Sequence, residues 1–323
     1  MKRYLGTLVL AALCCGGCVP QPSSDHIAGG TMGTTYDVTV TNSPDGIRRS
    51  DLESTIDAAL AGINRQLSAY DPSSEISRFN LNPSTDWIPV SAELLDAVMQ
   101  SAQVSLATDG AFDITVGPIV KAWGFGSAAD VAAEPPGNEQ IEQLRAAVGH
   151  DKLEARIDPP ALRKIVPALQ IDVDGIAPGI AVDRIAERFE AMGIRDYLVE
   201  LGGEVRARGL SPSGRGWRVA VEAPVAGERR PFALLELDGF AVSTSGDYRD
   251  YREAAGRRVS HTIDPRTAAP VTHRLTSVTV VHASAAMADA YSTALMVLGP
   301  DEGMAAARRL GLAALFIERP QGE

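Results

Sequence analysis

Between Tyr197 and Ile263 the chain is a run of short, β-branched and apolar segments divided by glycine-rich turns, and this run constrains the fold more than any other feature. Helical periodicity is grouped on either side of it. Leu52, Ile56, Leu60, Ile63 and Leu67 recur at helical spacing, and Leu94 to Leu106 repeats the pattern behind Ser91 as N-cap, ending at Asp109-Gly110. Ile180, Ile185, Phe189 and Met192 mark a third amphipathic helix that Pro178 can begin. Ser127 to Gly137 is an Ala/Pro/Glu-rich loop, and Ile141 to Val148 reads as helix. Tyr36 to Thr41 alternates as a strand should and is expected as the first folded element. Late in the chain, Leu275 to His282 and Leu312 to Ile317 read as strands, with helical stretches at Ala285 to Leu298 and Asp301 to Leu310 between them. Strands in runs with grouped helices predict an α+β protein with mixed or antiparallel sheets; a doubly wound parallel sheet is the second choice.

The N-terminus has the architecture of an export signal. Lys2 and Arg3 precede an apolar stretch from Tyr4 to Cys15, then Gly16-Gly17-Cys18 and a Pro/Ser-rich tail. A spanning helix needs about 20 apolar residues, which this stretch does not reach. Two small residues before Cys18 suit lipoprotein processing, with cleavage after Gly17 and lipid on Cys18; Cys15 departs from the aliphatic residue usual at that place, and ordinary secretion without lipid is the alternative. The expected organisation is a signal peptide at 1–17, a flexible tether at 18–28 and one folded domain at 29–320. Localisation is expected to be periplasmic and membrane-anchored, at the inner membrane in preference to the outer. Cys15-Gly-Gly-Cys18 would straddle the cleavage site, so the mature chain would keep one cysteine and fold on its hydrophobic core alone.

A formal net charge of −11, more negative once Lys2 and Arg3 are removed, argues against nucleic acid as a partner. It also argues against a polyphosphate groove built from many basic side chains, so phosphates would need a metal or backbone amides.

Several segments could carry chemistry. Asp289, Ser292 and Thr293 share one face of a helix and could hold a hard cation, although an Asp near a helix start commonly caps or is simply solvated. Asp172-Val-Asp-Gly-Ile-Ala-Pro-Gly179 reads as a buried strand passing through two acids into a helix whose first N–H groups suit a phosphate; an ordinary strand-to-helix connection has the same look. Gly110-Ala-Phe-Asp-Ile-Thr-Val-Gly-Pro118 and Trp123-Gly-Phe-Gly126 set aromatics between glycines, as a site for a flat ligand or a tight turn region would, and Tyr70 could stack on such a ring or cap the core. His261, in Ser260-His-Thr-Ile-Asp-Pro-Arg266, could accept a proton or donate to a phosphate. HExxH, G-x-S-x-G and P-loop patterns are absent from the sequence.

Taken in order, Gly30-Thr-Met-Gly-Thr34, Tyr70-Asp-Pro-Ser-Ser-Glu-Ile-Ser77, Ala111-Phe-Asp-Ile-Thr-Val-Gly-Pro118, Asp172 to Asp183, Glu200-Leu-Gly-Gly-Glu204, Ser245-Gly-Asp-Tyr248, His261-Thr-Ile-Asp-Pro265 and Ala288-Asp-Ala290 resemble the FAD:protein FMN transferase (ApbE) family. The resemblance implies an active site in a cleft between two lobes. It implies FAD contacts from Met32, Tyr70, Ala111, Phe112, Asp113 and Asp172, with Pro178 and Ile263 at matching positions, and Mg²⁺ bound by Asp289 and Thr293. Ser292 and Gly175 match positions that ligate in the family, Gly175 through its carbonyl and Ser292 by side chain or carbonyl. The implied reaction moves FMN from FAD to a Ser or Thr hydroxyl of an exported or membrane electron-transfer protein and releases AMP. His261 is the candidate nearest the attacked phosphate, and Asp289 is the metal anchor. FAD hydrolysis to FMN and AMP, and non-catalytic flavin binding, are the competing expectations. Three positions depart from the family pattern: Pro178 where Lys is frequent, Ile180 where an aromatic is frequent, and Ala268 where Gly follows D-P-R-T.

Overall fold

The computed structural model describes residues 24–126, 135–225, 230–247, 251–254 and 257–319. The expected signal at 1–17, the lipidation candidate Cys18 and the expected tether up to residue 23 lie outside the described residues. In chain order the first half contains β1 (Ser24–Thr31), β2 (Thr34–Thr41), α1 (Arg49–Leu67), α2 (Glu75–Leu81), β3 (Ile88–Pro89), α3 (Ala92–Ala107), α4 (Gly117–Ala122), α5 (Asn138–Ala147), β4 (Leu153–Arg156), β5 (Ala161–Lys164) and α6 (Ala177–Ala191). Then follow β6 (Asp196–Leu201), β7 (Glu204–Arg208), β8 (Trp217–Glu222), β9 (Pro231–Leu237), β10 (Phe240–Gly246), β11 (Tyr251–Ala254), β12 (Arg257–Ser260), β13 (Ile263–Asp264), β14 (Ala269–Pro270), β15 (Leu275–His282), α7 (Ala285–Leu310) and β16 (Ala313–Glu318). The expected α+β class is what this order builds.

A seven-stranded sheet runs β1-β2-β6-β7-β10-β15-β16, antiparallel at every pairing. Helices α6 and α7 cover one face, and the β8–β9 hairpin covers part of the other through Trp217 and Leu237 against Val205, Ala207 and Val242. The main core lies between the sheet and α1, α3, α6 and α7. A smaller core joins Ile119, Val148, Ile263 and Ala268, with Trp123 and Phe125 packed against it. The chain passes from the main core at Ile114, whose carbonyl accepts from the Asp172 N–H at 2.6 Å, to the small core at Val116 and Ile119.

Two expectations change. Residues 24–28, expected as tether, belong to β1: they pair with Asp37–Thr41, and Ile27 is buried. One buried apolar residue in an edge strand gives no alternation to read, and its partner strand decides the conformation. The segment 172–174 is no strand. It turns, because the Asp172 carboxylate accepts from the Asp174 N–H at 3.0 Å.

Helix α7 owes its start to α6. Asp183 of α6 accepts from Ser284 Oγ at 2.6 Å, Ala285 N–H at 2.9 Å and Ala286 N–H at 3.0 Å, satisfying donors that a helix start leaves open. The guanidinium of Arg206 holds the same carboxylate at 2.6 Å. A kink at Gly299-Pro300 divides α7 into the two stretches its sequence suggests. Asp289 therefore sits on a helix whose origin is tied to its neighbour.

Candidate active site

Asp289 is buried, and its Oδ2 accepts from the Gly179 N–H at 3.3 Å across the α6–α7 contact. The close approach depends on Gly179: a Cβ there would meet the Ala285 carbonyl oxygen at 2.5 Å. This corrects the expectation that the start of α6 offers its N–H groups to a phosphate. Ala177 N–H donates to the Val173 carbonyl, Pro178 has none, Gly179 serves Asp289, and Ile180 donates to the Ile176 carbonyl. The anion at this helix start is the Asp289 carboxylate itself.

Acids crowd the site. Burial raises the Asp289 carboxyl well above the ordinary range, and Glu204 and Asp174 push it further. Glu204 is pushed up to about 7, mainly by burial. Asp174, open to solvent at its edge yet crowded by protein and by Asp172, is also pushed up to about 7. Burial raises Asp172 in turn, with Lys121 offsetting it in part. Like charges gathered in a poorly solvated place favour protonation or a bound cation.

The available donors suit a hard cation. Thr293 Oγ1 lies 3.2 Å from Ser245 Oγ, which lies 2.8 Å from Ser292 Oγ. Ser292 is fully buried, and its hydroxyl donates to the Asp289 carbonyl at 2.9 Å. That hydroxyl braces the helix. Gly175 packs against both chemistries, because a Cβ there would lie 3.2 Å from Phe112 Cε2 and 3.4 Å from Thr293 Oγ1. Among the described residues no group of three His, Cys, Asp or Glu side chains forms a metal cage. A cation here would be held by mixed oxygens: the Asp289 carboxylate, the Thr293 hydroxyl and the Gly175 carbonyl, a donor set matching Mg²⁺ chemistry.

The remaining candidates fall around this centre with different roles. Tyr70 is exposed, and its hydroxyl donates to Asp174 at 3.3 Å; burial of the hydroxyl end, with Asp174 and Asp172 near, pushes it up to about 12. Met32 occupies the β1–β2 turn with φ of 50°, beside Gly33 at 74°, and packs on the main core. Thr34 from the same turn reaches Gly202, where a Cβ would lie 3.2 Å from both Thr34 Cγ2 and Glu204 Oε2. Ala111 and Phe112 are buried. Asp113 is a structural clamp: its Oδ1 accepts from Thr115 N–H and Oγ1 at 2.8 and 2.7 Å, and its Oδ2 from His150 N–H at 2.7 Å. It borders a cleft of about 270 Å³ that also includes His150, Pro265 and Arg266. The Ile263 side chain is taken up by the small core. His261 follows β12 and meets Phe125 edge-on at 6.4 Å, bringing it beside the glycine-aromatic segment.

The ApbE family profile matches residues 32–316. This chain belongs to the ApbE family. The FAD:protein FMN transferase of Vibrio cholerae is 39% identical over 319 residues, covering 98% of this chain and 94% of its own length. That of Escherichia coli is 38% identical over 322 residues, covering 97% and 91%. Among solved structures, the Pseudomonas stutzeri flavinyl transferase ApbE in its apo form matches with a TM-score of 0.85 at 41% identity, covering 94% of this chain and 93% of that one. An ApbE protein from Thermotoga maritima matches at 0.80 and 28%, covering 92% and 94%.

The departures from the ApbE pattern acquire physical form. Pro178 stands in the first turn of α6, where its missing N–H costs nothing. Ile180 is buried in the main core. Ala268 has φ of 57° and is fully buried, so it bears a left-handed backbone that disfavours a Cβ by about 1–2 kcal/mol. No role was readable in the sequence for Ser243, and none for Gly179, Asp183, Glu204 or Ser245 beyond their places in the ordered motifs. The spacing of Ser243 and Ser245 on one strand was the available signal.

Proposed function

We propose that this protein is an FAD:protein FMN transferase that moves FMN from FAD to a Ser or Thr hydroxyl of an acceptor protein. The observation that carries the reading is the buried Asp289 carboxylate, held by the Gly179 N–H among other acids and on the same helix as the linked Ser292 and Thr293 hydroxyls, inside a fold shared with enzymes of that name. In the reaction the acceptor oxygen bonds to the FMN-side phosphorus, the bond from that phosphorus to the bridging oxygen breaks, and AMP leaves with that oxygen. Asp289 and Thr293 would hold a Mg²⁺ ion, which would supply charge neutralisation for the pyrophosphate.

This chain's own residues do the rest. Tyr70 offers an exposed ring to the flat flavin with its hydroxyl oriented by Asp174, while Met32 and the Ala111-Phe112 segment supply the further contacts that the family motifs assign to FAD. Asp113 keeps that segment in place by tying it to Thr115 and His150. His261 is the group assigned to receive the hydroxyl proton as attack proceeds. Asp172 and Ile263 complete the FAD contacts, Ile263 through its main chain.

The export signal supports a periplasmic setting with lipid on Cys18 at the inner membrane, and exported or membrane electron-transfer proteins as acceptors. Incubating the protein with FAD, Mg²⁺ and a candidate acceptor, then scanning the denaturing gel for flavin fluorescence, tests the reading. A fluorescent acceptor band is expected; free FMN without labelling identifies a hydrolase, and unchanged FAD a binding protein.

A further inference from the structure

Glu204 is a buried carboxylate in which the reaction as described has no part. It opens β7 directly behind the Gly202-Gly203 turn, and its Oε1 accepts from Ser243 Oγ at 3.2 Å. Ser243 Oγ lies 3.4 Å from Ser292 Oγ, which lies 2.8 Å from Ser245 Oγ, itself 3.2 Å from Thr293 Oγ1. The hydroxyls form a ladder between Glu204 and the cation face of α7. Each hydroxyl has one proton to give and two lone pairs to accept with, so where each proton goes is biased by the groups at the ends of the ladder.

We propose that Glu204 is a positioning residue for the cation site, fixing through Ser243 the direction in which the Ser243–Ser292–Ser245–Thr293 hydroxyls point. The Ser292 proton goes to the Asp289 carbonyl, so Ser292 Oγ accepts. With Ser243 donating to Glu204, the donor to Ser292 is Ser245. Ser245 then accepts from Thr293, which leaves the Thr293 lone pairs for a cation. If Ser243 donates to Ser292 instead, Ser245 must share that acceptor, and its proton is released toward Thr293, where it competes with the metal. The inference rests on the cation reading of Asp289 and Thr293.

The test is Mg²⁺ binding to the metal-free, FAD-free protein by titration calorimetry, with thermal unfolding of the same samples. Glu204→Gln, whose amide can donate to Ser243, is expected to weaken Mg²⁺ about 10–100-fold, as changes behind metal ligands do. Ser243→Ala, which has no proton to give Ser292, is expected to bind Mg²⁺ within about twofold of wild type, and the double variant to recover the affinity that Glu204→Gln loses. The metal-free Glu204→Gln protein should unfold at the wild-type temperature or higher, since a buried carboxylate near Asp289 is removed; a Glu204 that merely holds the fold would lower that temperature and leave Mg²⁺ affinity alone. Asp289→Asn separates the two layers. Loss of binding there, with Glu204→Gln within about twofold of wild type or with the double variant no tighter than Glu204→Gln, overturns the role of Glu204 only. Wild-type binding by Asp289→Asn overturns the cation reading and this inference with it. Should Glu204→Gln fail to fold, Glu204→Asp, whose shorter side chain withdraws the carboxylate from Ser243, is expected to weaken Mg²⁺ about 10-fold, and wild-type affinity there overturns the role of Glu204.

Discussion

Gly179 donates its N–H to Asp289 Oδ2 at 3.3 Å from a backbone lying so near α7 that a methyl group there would stand 2.5 Å from the Ala285 carbonyl oxygen. The hydrogen bond and the close packing are one contact. Gly179→Ala must open the α6–α7 interface and lengthen that bond. Destabilisation of about 1–3 kcal/mol is expected in urea unfolding, together with weakened Mg²⁺ binding. Wild-type stability would show that the interface can yield.

Asp183 secures the same interface from its other end. Asp183→Asn removes the charge that satisfies the start of α7 and leaves Arg206 leaning on Glu190, 3.5 Å from it. A loss of about 2–4 kcal/mol is expected, between that of a lost helix cap and that of a broken buried ion pair. Transferase activity should fall more than FAD binding, because Asp289 rides on α7. Equal losses in both would argue that α7 keeps its place.

Lys164 is fully buried, donating to the Asn80 and Asn82 carbonyls at the end of α2, and burial lowers it to about 8 from 10.5. Between those two values the unfolded chain holds a proton that the folded chain has lost, so this group adds stability as pH rises through the window and its full penalty applies below it. Wild type should therefore gain stability relative to Lys164→Met as pH is raised from about 8 to about 10. A constant difference would place the lysine outside that window. Asn80 also brackets Ile171, donating to its carbonyl and accepting from its N–H at 2.8 Å each, so the variant should disturb Asp172 and lower FAD affinity.

The acid cluster has the opposite dependence. Asp174 and Glu204 stand near 7 in the folded chain against ordinary values of 3.8 and 4.5, so the folded chain binds more protons between those limits and metal-free stability falls as pH rises through them. Stabilisation by Mg²⁺, which displaces those protons, should grow over the same interval. Unfolding temperatures in chelator and in Mg²⁺ at about pH 5 and about pH 8, for wild type and Asp174→Asn, measure this. A metal increment that does not change with pH would disprove it.

Much of the helical framework was legible because each helix buries a regular apolar face: Leu52 to Leu67, the Ser91 cap and the Gly299-Pro300 break are local signals. The ordered motifs located the site, but not the direction of its interactions. The start of α6 reads as a phosphate cradle until Asp289, distant in sequence, arrives to fill it. Ser243 meets Glu204 only because β10 pairs with β7, and β1 exists only because β2 supplies its partner. Such contacts are set by pairing across the sheet, which no local pattern records.

Ser243 and Ser245 face α7 because they are alternate residues of one strand, while Val242 between Ala241 and Ser243 turns to the β8–β9 hairpin. Sliding β10 by a single residue would bring Val242 and Thr244 to that face and empty it of the hydroxyls. Chains that have collapsed and formed their helices but have not yet registered this central strand should therefore be inert. Recovery of flavin transfer during refolding would time the alignment of β10 more selectively than any bulk spectroscopic signal.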